Sequence, residues 1–176
     1  MDSRNAQGRS VPVARYDSGI VDPEDIAESP LLEAGIALAN AIGTSLGAWV
    51  VSCVERRMTE ACGFVSPEVL ESAESAGETA VLEVGWRVRS LLECDVDAQG
   101  TTPLALVREA VRYPTRVLAD AGLAARKRDA FAMSRFPDDD FDLTPASLSA
   151  LGNDVGELAI VWGAAKAFEH KRRHLR

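Results

Sequence analysis

Between Ala34 and Val54 the chain carries no charged residue, and small residues recur there at every fourth position: Gly35, Ala39, Gly43 and Gly47. Residues four apart share one face of a helix. An interior glycine disfavours a helix by about 1 kcal/mol relative to alanine, so a stripe of them needs a compensating contact. The pattern predicts a bare groove in which a second helix packs at backbone distance. Ser29-Pro30 marks the start of this first helix and Gly63 its end, giving residues 30–61. Ser66-Pro67 opens a second helix over residues 67–94, with Leu70, Ala73, Gly77, Ala80, Val84, Val88 and Leu91 facing inward. The connection from Gly63 to Ser66 is short, so the two helices are expected to form an antiparallel hairpin.

Folding the chain about that turn sets Gly43 near Trp86 and Trp49 near Ala80, each tryptophan against a small residue. Gly43→Leu is then expected to destabilise the crossing by overpacking. Cys53 falls opposite Ala76, roughly 27 Å along the helix from Cys94, which excludes a disulfide between them.

Thr102-Pro103 and Thr144-Pro145 repeat the Ser/Thr-Pro pattern, in which the hydroxyl caps a helix and proline fills its first position. Beyond the cap the four following segments share nothing, so they are not solenoid repeats. Pro114 is expected to break the third helix near Tyr113. Further helices are predicted over 115–121, over 124–135 with Phe131 and Met133, and from Pro145 to near Gly152. The last, capped by Asp154, runs through Leu158, Val161, Trp162, Ala165 and Phe168. No segment alternates with period two. The expected fold is all-α: one bundle over residues 29–176, a long hairpin crossed by shorter C-terminal helices. Residues 1–28 are polar with isolated apolar positions and read as a flexible N-terminal arm.

Composition narrows the function. The chain has 176 residues, 47% of them apolar, enough for one domain with a core. Its formal net charge of −8 argues against a general nucleic-acid binder, which needs a basic surface. Cys53, Cys62 and Cys94 have no metal-knuckle or CxxC spacing, and the first residues lack the apolar run of a secretory signal. A reduced, cytoplasmic setting follows. The uncharged stretch is as long as a membrane span and is followed by Arg56 and Arg57. Asn40, Thr44 and Ser45 interrupt it, and its apolar mass is mostly alanine and glycine, so a buried helix is expected instead of a span.

Three groups could carry chemistry. Asp138, Asp140 and Asp142, within DDDFD, alternate as oxygen ligands for a divalent cation would. The EF-hand pattern fails, because Leu143 and Ser149 stand where it needs Gly and Glu. A solvated loop beside a helix start is the plainer reading. His170 and His174 lie one helical turn apart, without a third ligand in sequence reach. Lys171, Arg172, Arg173 and Arg176 make the last turns basic, which suits a helix C-terminus and offers a contact for an acidic partner. No GxSxG, Gly-rich phosphate loop or Cys–His pair occurs, which weighs against an enzyme and gives no reason to expect a cofactor.

The segments TTPLALVREAVRYPTRVLADAG, RFPDDDFDLTPASLSAL and WGAAKAFEHKRR resemble uncharacterised small helical proteins of actinobacteria. That resemblance covers the C-terminal half. It implies a bacterial, cytoplasmic setting and brings no catalytic residue. The reading that follows is a non-enzymatic interaction or regulatory protein, with a protein partner or a homo-oligomer. The packing residues are Gly35, Ala39, Gly43, Gly47, Gly77, Trp49 and Trp86, and the partner-contact candidates are the basic C-terminal residues. One alternative is a carboxylate-based enzyme or ligand-binding bundle. Another is a factor associated with nucleic acid or the transcription machinery through the basic end.

Overall fold

The computed structural model describes residues 29–94 and 100–175, and every regular element among them is helical. The proposed N-terminal arm and Arg176 lie outside these residues, as does most of the loop expected after Cys94. Helix α1 spans Pro30–Cys62 and stops at Gly63, whose φ of 79° allows its amide to cap the Thr59 carbonyl. Helix α2, Pro67–Ala80, continues through one wide π-helical turn, Val81–Gly85, into α3, Trp86–Glu93. Helices α4 (Pro103–Glu109) and α5 (Arg112–Asp120) follow, then α6 (Ala130–Arg135). A 3₁₀ turn, Leu148–Leu151, leads into α7, Asn153–His174.

The hairpin is closed by backbone contact. A Cβ on Gly77 would lie 2.9 Å from the Gly47 carbonyl oxygen, and one on Gly35 would lie 2.9 Å from that of Leu92. Early α1 thus meets late α3, and later α1 meets α2, so the two arms run antiparallel. Leu38, Ile42, Leu46, Val50 and Val54 form the buried face of α1. Opposite stand Ala73, Ala80, Val84, Val88 and Leu91, small in α2 and larger in α3. Each fully buried leucine or isoleucine contributes about 2 kcal/mol. Helices α4 and α5 add Leu106, Val107 and Leu118 to this core, the acidic loop adds Phe141 and Leu143, and α7 adds Val155.

Several local expectations are corrected. Gly43 is not at the tight point, because a Cβ there would meet nothing within 4 Å. It borders Gly85, and Gly77 is the residue pressed against Gly47. Trp49 is buried as expected, but Trp86 is 67% exposed and packs no crossing. Ser66 and Thr102 cap α2 and α4, accepting from the amides of Val69 and Ala105 at 3.4 and 3.1 Å, whereas the Ser29 side chain caps nothing. Thr144-Pro145 does not open a helix. Its hydroxyl instead donates to Asp139 at 2.6 Å, and Pro145 is a buried loop residue.

The helix expected over 124–135 shrinks to α6. Asp129 caps it by accepting from the Ala132 amide at 2.7 Å, while upstream the Arg126 amide donates to the Asp140 carbonyl at 2.9 Å. That pairing ties residue 126 to the acidic loop, outside the helix that Asp129 starts. Asp154 is not the cap of α7. Gly152 is, at φ 153°, a conformation that side-chain-bearing residues rarely adopt, and Asp154 sits in the first turn. Helix α4 ends before Pro114, which enters the first turn of α5, where no amide donor is needed.

Helix α1 is long and apolar enough by composition to cross a membrane. Its inner face is nevertheless the centre of the bundle. Of the two arginines that follow the uncharged stretch, Arg57 is buried and donates to Glu60, whereas Arg56 is exposed.

Candidate functional site

Two surfaces concentrate features that packing does not use. The first is an open groove of about 990 Å³ between α2 and α5. Val69, Ala76 and Val117 make its floor. Glu68 and Glu71 from the start of α2 and Asp120 from the end of α5 bring carboxylates to one end. At the other end Glu83 accepts from Arg112 at 3.0 Å and from the Tyr113 hydroxyl. Arg112 also donates to the Tyr113 oxygen at 2.9 Å. Burial, and then the bond to Glu83, push the Tyr113 hydroxyl above its ordinary pKa, so it stays protonated and donating. The Glu68 carboxyl is held low by its own backbone amide and by Ser66. The groove therefore offers fixed charges and hydrogen bonds, and these two shifts move neither group toward neutral pH, where a general base or acid works best.

The second surface is the outward side of α7. Although this helix has 22 residues, Val155 is the one that is buried. Ile160 is 74% exposed, Val161 55% and Phe168 67%. The basic residues Lys171, Arg172 and Arg173 follow on the last turns and are exposed. Arg172 and Arg173 both reach Glu169, at 3.2 and 3.4 Å, and Arg172 in particular holds that carboxyl below its usual range. Contacts between oppositely charged residues one turn apart align these cations along the helix.

A smaller hollow lies where the π-turn meets α1. Ala39, Asn40, Gly43 and Gly85 form its base, and Leu82 and Trp86 stand beside it, both exposed. The π-turn puts Val84 and Gly85 both inward, which leaves its neighbours Leu82 and Trp86 outward.

The acidic run divides. Asp139 is buried, and its carboxylate accepts from the Leu143 amide at 2.7 and 2.9 Å, the Thr144 amide at 2.7 Å and the Thr144 hydroxyl. It ties the loop shut, a role that the sequence reading assigned to no residue. Asp138, Asp140 and Asp142 are exposed, and Asp142 lies 3.9 Å from Arg126. Among the described residues no three His, Cys, Asp or Glu side chains converge as metal ligands, so these candidates are not brought together. His170 and His174 stack with ring centres 4.2 Å apart, and a His174 nitrogen faces the His170 carbonyl at 2.9 Å. The cysteines are all free. Cys62 and Cys94 are exposed, whereas Cys53 is buried and burial pushes its thiol up to about 11.

The groove, the hollow and the exposed tryptophan were missed by pattern reading. Helical spacing shows which residues share a face, but not whether a neighbour covers that face. Spacing alone does not mark the wide turn, because Ala80, Val84 and Val88 step by four just as Leu38, Ile42 and Leu46 do in the unbroken α1. Comparison with family models, with curated proteins and with solved structures gave no match to this chain.

Proposed function

We propose that this chain is a non-enzymatic interaction or regulatory protein of the bacterial cytoplasm, binding a protein partner through α7. The observation that carries the reading is the imbalance of that helix. It is long and regular and packs Val155, Leu158, Ala159 and Trp162 on the core, yet it leaves Ile160, Val161 and Phe168 in solvent. Exposed apolar side chains of this size on one element favour a partner contact. The cations beyond them favour an acidic partner surface and would fix the direction of docking. The carboxylate groove supports the enzyme alternative less well, because Glu83 is already engaged by Arg112 and Tyr113.

The test is recovery of partners from bacterial lysate on the tagged chain, with and without nuclease, beside an Ile160→Ser/Phe168→Ser variant. One protein held in near-stoichiometric amount, indifferent to nuclease and lost with the variant, is the expected result. Recovery that disappears with nuclease would transfer the basic end to nucleic acid. Recovery of nothing by a native chain that is also monomeric in solution would overturn the reading.

A further inference from the structure

The molecule carries both halves of a complementary contact on separate elements. The α2–α5 groove has an apolar floor and, at one end, the carboxylates of Glu68, Glu71 and Asp120, three acids that outnumber Arg116, the cation one turn before Asp120. The last turns of α7 present Phe168 and Leu175, both exposed, with Lys171, Arg172 and Arg173 between them in sequence, the two arginines also reaching the single carboxylate of Glu169. A helix of this kind places apolar and basic residues on adjoining stripes. From Glu68 to Glu83 the groove follows α2 and the π-turn for roughly 22 Å, while Phe168 to Leu175 covers roughly 10 Å, so the tail fits within its length.

We infer that the occupant of the groove is the α7 tail of a second copy of this chain. Three observations meet in that choice. The tail is the basic end of a chain whose formal net charge is −8, so attraction to an acidic groove is stronger than to the surface at large. At the far end of the groove, Glu83 is already satisfied by Arg112 and Tyr113. That leaves the Glu68 end as the acidic mouth, which the cations enter. Groove and tail also belong to different elements, α2–α5 and α7, so a tail seated in the groove of a second copy makes a head-to-tail contact. Two chains that exchange tails close into a pair, and one-way exchange would extend into a filament.

This inference rests on the interaction reading and names its partner. Sedimentation of the full chain across protein concentration, at low and at high salt, tests it. Self-association at low salt, weakened about tenfold or more at high salt, is expected from a charge-guided contact. Lys171→Glu/Arg172→Glu/Arg173→Glu in the tail should leave the chain monomeric, as should Glu68→Lys/Glu71→Lys in the groove, with helical content unchanged in both. Mixing the two reversed chains should restore association, because each reversed surface meets its complement. A native chain that stays monomeric at low salt overturns the inference. So does association that survives in either reversed chain alone. A monomeric native chain that still retains a lysate protein through α7 would overturn the self-contact and leave the broader interaction reading standing.

Discussion

Helices α1 and α7 are both long and both rich in alanine, glycine and large apolar residues, and they differ in what those residues touch. In α1, Leu38, Ile42, Leu46, Val50 and Val54 are fully buried, and Gly35 and Gly47 lie against the backbone of the other arm. In α7 comparable side chains face water. Composition therefore records two separate demands, one for a core and one for a surface. The smallness of the neighbouring helix distinguishes them. α2 sets Ala73, Gly77 and Ala80 against α1 and keeps them buried, whereas α7 rests on the core through Val155, Leu158, Ala159 and Trp162, all but the first only half-buried.

The largest expected effect lies in the loop that precedes α7. Asp139→Ala removes every acceptor for the buried Leu143 amide, the Thr144 amide and the Thr144 hydroxyl, and should cost about 3 kcal/mol. Asp138→Ala, at an exposed position, should stay within about 0.5 kcal/mol. Denaturant unfolding compares the two. Equal losses would show that the loop is not tied through Asp139.

Next comes the seam. Gly77→Ala forces a methyl toward the Gly47 carbonyl, and both partners are backbone, so about 2 kcal/mol should be lost. Gly43→Ala has open space and should be neutral or stabilise by up to about 1 kcal/mol through helix propensity. If Gly43→Ala proves the more damaging of the two, the tight point of the hairpin has been misplaced.

A smaller effect concerns pH. Burial raises the Cys53 thiol from 9.0 to about 11, so the folded state holds this proton more tightly than the unfolded chain does. Its contribution to stability is complete below pH 9 and is lost as pH rises through 11. Cys53→Ala should flatten that part of the stability profile, and a thiol reagent at neutral pH should label Cys62 and Cys94 well before Cys53. Smallest of all, Ile160→Ser and Phe168→Ser should shift stability by no more than about 0.5 kcal/mol. A loss as large as that of Gly77→Ala would place α7 among the core elements and erase its contrast with α1.

Much of the hairpin was legible. Proline and glycine punctuation placed the ends of α1 to within a residue, and a three-four spacing identified the inward face from Ala73 to Leu91, because both signals are local. Trp86 was misjudged because its exposure depends on the wide turn just before it. Asp139 looks like its neighbours in the sequence and separates from them when the Leu143 and Thr144 amides turn toward it. The groove needed two helices to be placed side by side, and no single segment encodes that.

The π-turn gives the second arm of the hairpin a spare residue. Its hydrogen bonds close over five residues where an α-helix closes over four, so Val81–Gly85 holds one residue more than the α-helical turn that could replace it. Removing Leu82 would tighten the turn and leave both flanks in frame, with Gly77 still on Gly47 and Leu92 still on Gly35. The same deletion within α1 would rotate everything beyond it by about 100° and unmake the seam. Within the hairpin, tolerance to a change in chain length is therefore concentrated in this one turn, beside the exposed tryptophan.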